Sequence, residues 1–258
     1  MQFLADEWRE SGIEEGDIVL IHSSLKRLFK KYSALKIELT VEDVLDSFLK
    51  VVGESGTLLF PTFNFDFAKG IAFDISNTVS HMGALTEAAR KHPDAVRTGH
   101  PLHSFVVIGA KANMFKDVNN FSSFGIDSPL GILHKMDGKI AILNMPEKGS
   151  MTFYHYIEEM CELDHRYHKV FTGVYVTSSG IREVRDYGMF VRHLDRGIQG
   201  NINPAGEIVW KAGLYKGSRP DQGSGLRVAS AKNIYELISK ILKEQGPEGV
   251  LYDIEGKK

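Results

Sequence analysis

A histidine and two glutamates lie close together in the segment Thr152–Glu159, which reads TFYHYIEE. If this segment is helical, His155 shares a face with Glu158, three residues later, and with Glu159, four residues later. A carboxylate in either position can hold the imidazole in one tautomer. Since histidine titrates near pH ~6.5, a ring held in this way is suited to act as a general base near neutral pH. The spacing therefore predicts a base at His155, with either glutamate as its partner.

Three further segments carry polar side chains next to predicted strands. They are HSSL at residues 22–25, PTFNFD at residues 61–66 and RTGHPLHS at residues 97–104. The first lies between a strand and a helix-compatible run, where free backbone N–H groups at a helix start can hold an anion such as a phosphate. The others follow the second predicted strand and precede the third. Because α/β proteins bind ligands at the carboxyl ends of their strands, these segments are candidates for a ligand site.

Composition excludes several classes of protein. The 258 residues are 43% hydrophobic and 25% charged, which is typical of a soluble globular protein. With 31 basic and 33 acidic residues, the net charge of -2 gives no general attraction to nucleic acid or to an anionic membrane. No apolar run approaches the ~18 residues of a membrane span, and the amino terminus lacks the basic, apolar start of a signal peptide. The single Cys161 fits a reducing compartment, so we expect a cytoplasmic protein.

Strand and helix signals alternate through the first half of the chain. Buried strands are predicted at Asp17–Ile21, Gly56–Phe60, Ser104–Ile108 and Gly138–Leu143. A capping box at Thr40–Asp43 opens a helix that ends at Gly53, and Ser128 followed by Pro129 starts another. A further helix is predicted over Gly83–His92, before Pro93.

The pattern changes after the His155 segment. Longer alternating strands are predicted over Val170–Thr177 and Arg182–Leu194. A turn is predicted at Asn203–Gly206, followed by a strand at Ile208–Trp210. The last predicted elements are a helix at Asn233–Leu242 and a short strand at Gly249–Asp253. The irregular stretch Asp66–Thr78 is typical of a binding loop. We therefore expect one α/β domain over residues 1–258. It should have a largely parallel central sheet flanked by helices, plus an antiparallel β element in the C-terminal half.

Taken together and in this order, the polar segments resemble the antibiotic N-acetyltransferase family, the aminoglycoside acetyltransferases whose fold is unrelated to that of the common GNAT enzymes. The matching stretches are HSSL from residue 22, PTF from residue 61, MGALTEAARKHPDAVRTGHPLHSF from residue 82, DSPLGIL from residue 127 and TFYHYIEE from residue 152. The C-terminal third carries little of the resemblance. The run Asn144-Met-Pro-Glu departs from it, since the family usually has a glycine close to the cofactor there.

The resemblance implies transfer of an acyl group, expected to be acetyl, from coenzyme A to an amino group on a sugar. It implies His155 as the base, Glu158 as its orienting partner and His100 near the reacting centre. It also implies contacts to coenzyme A along one surface, made by His22, Ser23, Ser24, Leu25, Arg97 and Ser104. No metal is expected to take part.

The charged residues of the chain are compatible with two kinds of amino sugar as the acceptor of the acyl group. A polycationic aminoglycoside antibiotic needs an acidic cleft, for which Asp66, Asp74 and Glu159 are candidates, with Thr62 as a further polar contact. Basic residues follow the His155 segment at Arg166, Lys169, Arg182 and Arg192, and they suit the diphosphate of a nucleotide-linked amino sugar. The near-neutral total charge favours the nucleotide-linked acceptor. Neither nucleic acid nor a membrane is expected as a partner, and a homodimer is left open.

A metal-dependent hydrolase is the alternative from another class of enzyme. His155, Glu158, His165 and His168 form an HxxE and an HxxH within one short segment, and such clusters can bind metals. The sequence lacks the HExxH and HxxEH patterns of metalloproteases, which weighs against this reading.

Overall fold

The computed structural model describes residues 2–256 and contains eight α-helices, three short 3-10 helices and twelve strands within that range. The helices are α1 (Gln2–Glu10), α2 (Leu25–Ala34), α3 (Val41–Val52), α4 (Ala84–Lys91), α5 (Pro129–Lys135), α6 (Phe153–Met160), α7 (Asn203–Lys211) and α8 (Ala231–Gln245). The predicted capping box is present, because Thr40 and Asp43 each accept the other's backbone N–H. Ser128 caps α5 ahead of Pro129, as the sequence indicates.

The strands fall into three sheets. They are β1 (Ile18–Ser23), β2 (Thr57–Pro61), β3 (Phe73–Asp74), β4 (Val96–Arg97), β5 (Phe105–Gly109), β6 (Lys139–Leu143), β7 (Arg166–Val176), β8 (Arg182–Arg192), β9 (Ile198–Gly200), β10 (Lys216–Gly217), β11 (Leu226–Ser230) and β12 (Tyr252–Ile254). The largest sheet has seven strands in the order β10-β11-β6-β1-β2-β5-β4. The others are β3-β7-β8 and β12-β9.

The seven-stranded sheet is mixed, and it is parallel only at its centre. β1 pairs in parallel with β2 and with β6, whereas β5, β4, β11 and β10 run antiparallel to their neighbours. The predicted α/β class is confirmed, and so is the antiparallel element, since β7 and β8 form a long antiparallel hairpin. The direction of β5 also matters for the site. Phe105 at its start pairs with Pro61 at the end of β2, so residues 97–104 reach the carboxyl edge of the parallel strands.

Two layers of helices cover the two faces of this sheet. Alternate side chains of β1 divide between them: Val19 and Ile21 pack with α1 to α4, and Ile18 and Leu20 pack with α5 to α8. Each face is a separate apolar cluster of buried side chains. Because successive residues of a strand point to opposite faces, a central strand between two helical layers must be apolar throughout, as β1 is up to Ile21.

One sequence prediction about the C-terminal part is wrong. The segment predicted as a turn at Asn203–Gly206 and a strand at Ile208–Trp210 is the single helix α7. Pro204 lies in its first turn, where the missing N–H is not needed and the fixed φ suits the helix. Ala205 and Val209, four residues apart, are both fully buried on its inner face. Within residues 2–256, no helix has both the length and the apolar character needed to cross a bilayer.

Candidate active site

The proposed base lies on α6, the helix that follows the loop after β6. His155 and Glu158 are three residues apart on this helix, and His155 Nδ1 lies 2.7 Å from Glu158 Oε2. The other carboxylate oxygen, Oε1, lies 2.9 Å from His165 Nε2, and Arg166 Nε lies 2.8 Å from Oε2. The side chain of Glu158 is 2% exposed. Glu158 therefore joins α6 to the start of β7 through a buried carboxylate.

The electrostatics of this group favour a neutral His155 and an ionised Glu158. Burial alone would raise the pKa of Glu158, but hydrogen bonds from His155 and His165 and the charge of Arg166 hold it well below its usual range. Burial lowers the pKa of His155, and the charge of Arg166 acts in the same direction. The imidazole is therefore available to accept a proton at neutral pH.

The tautomer of His155 follows from the carboxylate. An ionised carboxylate can only accept, so His155 Nδ1 carries the hydrogen and donates it to Glu158. Arg166 Nη2 also lies 3.0 Å from Nδ1, but two donors cannot share that contact, and the shorter distance to the carboxylate decides the assignment. His155 Nε2 therefore keeps a free lone pair.

A cavity of about 490 Å³ opens beside His155. Phe65, His103 and Phe124 line it together with His155, and residues of β8 and β9 form a further part of the lining. Three basic side chains also line it: Lys148, Arg166 and Arg192. None of the described residues that line this cavity is an aspartate or a glutamate. The cavity is aromatic and basic in character.

Arg97, Ser104 and Thr62 lie together, away from the cavity lining. Arg97 Nη1 donates to Thr78 O (2.6 Å) and Nε donates to Ser104 Oγ (3.2 Å), while the Ser104 and Thr62 hydroxyls are 3.0 Å apart. Both hydroxyl residues are fully buried, and burial lowers the pKa of Arg97 to about 10. In this structure the three residues bond to one another and fasten the loop 66–78 to the sheet edge.

The backbone of the HSSL segment differs from what the sequence predicts. β1 continues to Ser23, which pairs with Leu143, and the Ser24 N–H donates to Leu143 O at 2.9 Å. The Ser24 amide is therefore not among the free N–H groups expected in this segment, because the strand extends further than its apolar residues indicate. His22 is buried, and burial together with the charge of Arg227 lowers its pKa to about 3. Leu25 begins α2, so free amides at this point belong to the first turn of α2.

The predicted acidic contacts do not line the cavity. Asp66 pairs with Lys69 and lies 3.5 Å from His81, while Asp74 accepts the backbone N–H groups of the turn that follows it. Glu159 accepts a hydrogen bond from Ser122 Oγ at 2.8 Å, and burial raises its pKa. The structure therefore joins only Glu158, of the two glutamates on α6, to His155.

The four residues of the metal alternative do not converge on one point. His155 and His165 contact opposite oxygens of Glu158, whereas His168 is exposed and packs its ring against Phe190. Among residues 2–256, no three His, Cys, Asp or Glu side chains are arranged to hold a metal ion.

A buried charge pair that the sequence did not indicate supports the start of α6. Glu147, in the loop before α6, accepts hydrogen bonds at Oε1 from Tyr154 and Tyr215 (2.7 Å each), and Arg227 Nη2 donates to its Oε2 at 2.9 Å. Arg227 is 1% exposed and comes from β11, a strand that the sequence analysis missed. The partners are 80 residues apart, so no local pattern could have paired them.

Replacing Glu147 with alanine should lower the free energy of unfolding by about 3–5 kcal/mol, because Arg227 would remain buried without a counter-charge. Urea denaturation at neutral pH measures this. The matched control is Glu207→Ala, which breaks an ion pair with Arg219 whose side chains are 51% and 42% exposed. That change should cost at most about 1 kcal/mol. Equal losses in the two variants would contradict a structural role for the buried pair.

Comparisons with known proteins agree on one family. The sequence model of the family described as aminoglycoside 3-N-acetyltransferase matches residues 20–243. The chain is 29% identical over 179 residues to aminoglycoside N(3)-acetyltransferase VII of Streptomyces paromomycinus, covering 62% of this chain and 60% of the relative. It is 27% identical over 172 residues to aminoglycoside N(3)-acetyltransferase IX of Micromonospora chalcea, covering 59% of each. The chain thus spans about 60% of the length of these relatives.

Solved structures show the same fold. Aminoglycoside acetyltransferase AAC(3)-Xa superposes with a TM-score of 0.79 at 23% identity, covering 94% of this chain and 92% of that one. AAC-IIIb in a binary complex with CoASH gives a TM-score of 0.79 at 19% identity, covering 95% and 96%. Sisomicin-bound AAC-VIa gives 0.76 at 20% identity, covering 95% and 97%.

Proposed function

Since this chain belongs to the aminoglycoside 3-N-acetyltransferase family, we propose that it is a single acyl-CoA-dependent N-acyltransferase domain. It transfers an acetyl group from acetyl-coenzyme A to the amino group of an amino sugar. The observation that carries this proposal is the geometry of His155. Its Nδ1 is held by Glu158 at 2.7 Å, and its ring lines the cavity. The free lone pair of Nε2 is then the proton acceptor that an attacking amine requires.

The reaction begins with a sugar amine that is mostly protonated at neutral pH and cannot attack until it loses a proton. His155 Nε2 takes that proton, directly or through a water, and Glu158 stabilises the imidazolium that forms. Because both reactants are held in one cavity, binding offsets the entropy cost of bringing them together, which lowers the barrier to transfer. The half-buried Cys161 is the residue after α6, outside the residues that line the cavity, which supports direct attack over a covalent acyl-cysteine.

Coenzyme A binds, in this proposal, across the carboxyl edge of β2, β1 and β6, with its diphosphate at the first turn of α2. The first N–H groups of a helix have no intrahelical acceptors, and the helix dipole favours an anion there. The relative AAC-IIIb was solved with CoASH, which supports a coenzyme A site in this fold. Leu25, at the start of α2, is the residue of the HSSL segment nearest such a site, while Arg97 and Ser104 act by fastening the adjacent loop.

The acceptor that the cavity suits best is an amino sugar linked to a nucleotide diphosphate. Lys148 and Arg192 line the cavity, and neither makes a side-chain ion pair with another described residue. The third cation, Arg166, is committed to Glu158. A polycationic aminoglycoside would meet these charges without a carboxylate in the described lining to offset them. The relative AAC-VIa binds sisomicin, so an aminoglycoside is the competing acceptor that the test must include.

A thiol-release assay with saturating acetyl-coenzyme A should give a higher kcat/KM for nucleotide-linked amino sugars than for any aminoglycoside. The two acceptors should also respond to salt with opposite signs. As the Debye length shrinks from ~10 Å at 0.1 M to ~3 Å at 1 M, attraction of the diphosphate weakens and repulsion of the polycation is relieved.

Arg192→Gln should lower kcat/KM for the nucleotide-linked acceptor about 10-fold, the size of one lost charge-assisted contact. Arg182→Gln is the matched control, since Arg182 is exposed at the opposite end of β8. Efficient acetylation of aminoglycosides with nucleotide sugars inert would contradict the acceptor assignment. Absence of transfer to either class would contradict the proposed reaction.

A further inference from the structure

A second imidazole faces the same cavity. His103 and His155 both line it, and both rings pack against Phe124, with centroid distances of 4.8 Å and 5.1 Å to that ring. His103 is 6% exposed, and no partner of its Nε2 occurs among the described residues. It has no assigned part in the reaction so far.

The tautomer of His103 is fixed by a chain of hydrogen bonds that begins at His100. His100 Nδ1 accepts the backbone N–H groups of Leu102 (3.3 Å) and His103 (3.2 Å). Because Nδ1 accepts, a neutral His100 ring carries its hydrogen on Nε2. That nitrogen lies 3.1 Å from Gly188 O and donates to it.

The hydrogen bonds of Ser123 link the tautomer of His100 to that of His103. Its backbone N–H donates to Gly188 O at 3.0 Å, so that carbonyl oxygen already accepts two hydrogen bonds, one for each lone pair. The Ser123 hydroxyl lies 3.3 Å from the same oxygen but only 3.0 Å from His103 Nδ1, and its oxygen, 3.2 Å from His100 Nε2, can accept from that N–H. The hydroxyl therefore donates to His103 Nδ1, and the hydrogen of the His103 ring is on Nε2.

Burial keeps both rings neutral at physiological pH. Burial lowers the pKa of His100 to about 4 and holds the pKa of His103 well below its usual range. The two cavity imidazoles thus have opposite tautomers. His155 presents a lone pair at Nε2, and His103 presents an N–H at Nε2. A neutral imidazole N–H can act as an electrophile towards a carbonyl oxygen, and preorganised donors at a developing oxyanion are usually a large term in catalysis.

We propose that His103 is a second catalytic residue, whose Nε2–H donates a hydrogen bond to the thioester carbonyl oxygen and stabilises the oxyanion of the tetrahedral intermediate. The inference rests on the proposed acetyl transfer. His100 and Ser123 are positioning residues, since they act through His103. The resemblance implies His100 near the reacting centre, whereas in the structure His103, three residues later, is the histidine of this segment that lines the cavity.

The atoms, protons and electrons of the step balance without a further reactant. The amine nitrogen forms a bond to the carbonyl carbon, and the carbonyl π pair moves onto oxygen, where it accepts the hydrogen bond from His103 without proton transfer. His155 Nε2 has by then released to solvent the proton that it took from the ammonium form of the acceptor, and it now takes the proton of the attacking nitrogen. The oxygen lone pair then restores the double bond, the C–S bond breaks, and the coenzyme A thiolate takes the proton from His155. The products are the amide and free coenzyme A.

Kinetics of three His103 and Ser123 variants test the role. His103→Leu removes the donor and should lower kcat about 10²–10³-fold, as for a lost oxyanion donor, with little change in KM for either substrate. His103→Gln keeps an N–H donor and should recover part of that loss. Ser123→Ala should give an intermediate loss. His92→Leu, at a histidine outside the cavity lining, is the control. Thermal unfolding of each variant shows whether it is folded.

Nitrogen-15 NMR of the histidine rings at pH 7 tests the tautomer independently of activity. We expect His103 as the Nε2–H tautomer and His155 as the Nδ1–H tautomer, with the His103 preference lost in Ser123→Ala. A protonated Nδ1 on His103, or a folded His103→Leu variant with unchanged kcat, overturns the proposal even if acetyl transfer is confirmed. A lack of acetyl transfer by the unaltered chain, with the tautomers as expected, instead refutes the proposed function and with it the catalytic role.

Discussion

His155→Ala should lower kcat by about 10²–10⁴-fold, the range typical of a lost general base, while the affinity for coenzyme A changes little. The reason is the arrangement of the ring: Nδ1 is committed to Glu158, and Nε2 keeps the free lone pair that we propose accepts the proton at the cavity. Steady-state kinetics and calorimetric titration with coenzyme A measure the two effects separately.

Rescue by added imidazole is a second measurement of the role of His155. The alanine variant leaves a space next to the cavity, and free imidazole entering it should recover part of the lost rate, since a diffusible base can replace the side chain. The same addition should not affect the unaltered chain or a His92→Ala control. Near-normal activity in His155→Ala without imidazole would remove this residue from the mechanism.

Glu158→Gln should impair both activity and stability, whereas Glu159→Gln should be mild. Glu158 is the buried counter-charge of Arg166 and accepts hydrogen bonds from His155 and His165, so its neutralisation leaves a cation unpaired and costs about 3–5 kcal/mol. We expect kcat to fall at least about 10²-fold, because the carboxylate that holds the hydrogen on His155 Nδ1 is lost. The Glu159 side chain makes no hydrogen bond with the His155 ring, and glutamine keeps an acceptor for the Ser122 hydroxyl, which now donates to Glu159.

The pH dependence of stability provides a second measurement for the same variant. The pKa of Glu158 is held below its ordinary value, so its contribution is complete above pH ~4.3 and declines as the pH falls below that. Urea denaturation between about pH 5 and about pH 2 should therefore show a smaller acid loss in Glu158→Gln than in the unaltered chain. If Glu159→Gln proves the more damaging of the two, the assignment of the orienting glutamate is wrong.

Features that depend on neighbouring residues could be predicted from the sequence. The HxxE spacing places His155 beside Glu158 because a helix brings such residues onto one face, and α6 is helical there. The capping residues Thr40 and Ser128 likewise act within three positions of themselves. The predicted α/β class followed from such local signals.

Features that depend on pairing across the chain could not be predicted. The direction of β5 is set by its partner β2, and the loss of the Ser24 amide to the sheet is set by Leu143 on β6. The cavity role of His103 depends on Ser123 and on the carbonyl of Gly188, which lie 20 and 85 positions later in the sequence. The Asn203–Gly206 segment has turn-forming residues, and the burial of Ala205 and Val209 outweighed that local preference.

The buried carboxylate of Glu158 has a consequence for how this architecture can change over evolutionary time. It fixes α6 to the first residues of β7, while further lining of the cavity comes from β9 and from the last residues of β8, which pair with those of β7. Side-chain changes on β8 and β9 that leave this backbone pairing intact would therefore alter the acceptor of the proposed reaction while His155 keeps its geometry. Lineages sharing this scaffold would be free to diverge in substrate while inheriting one chemistry.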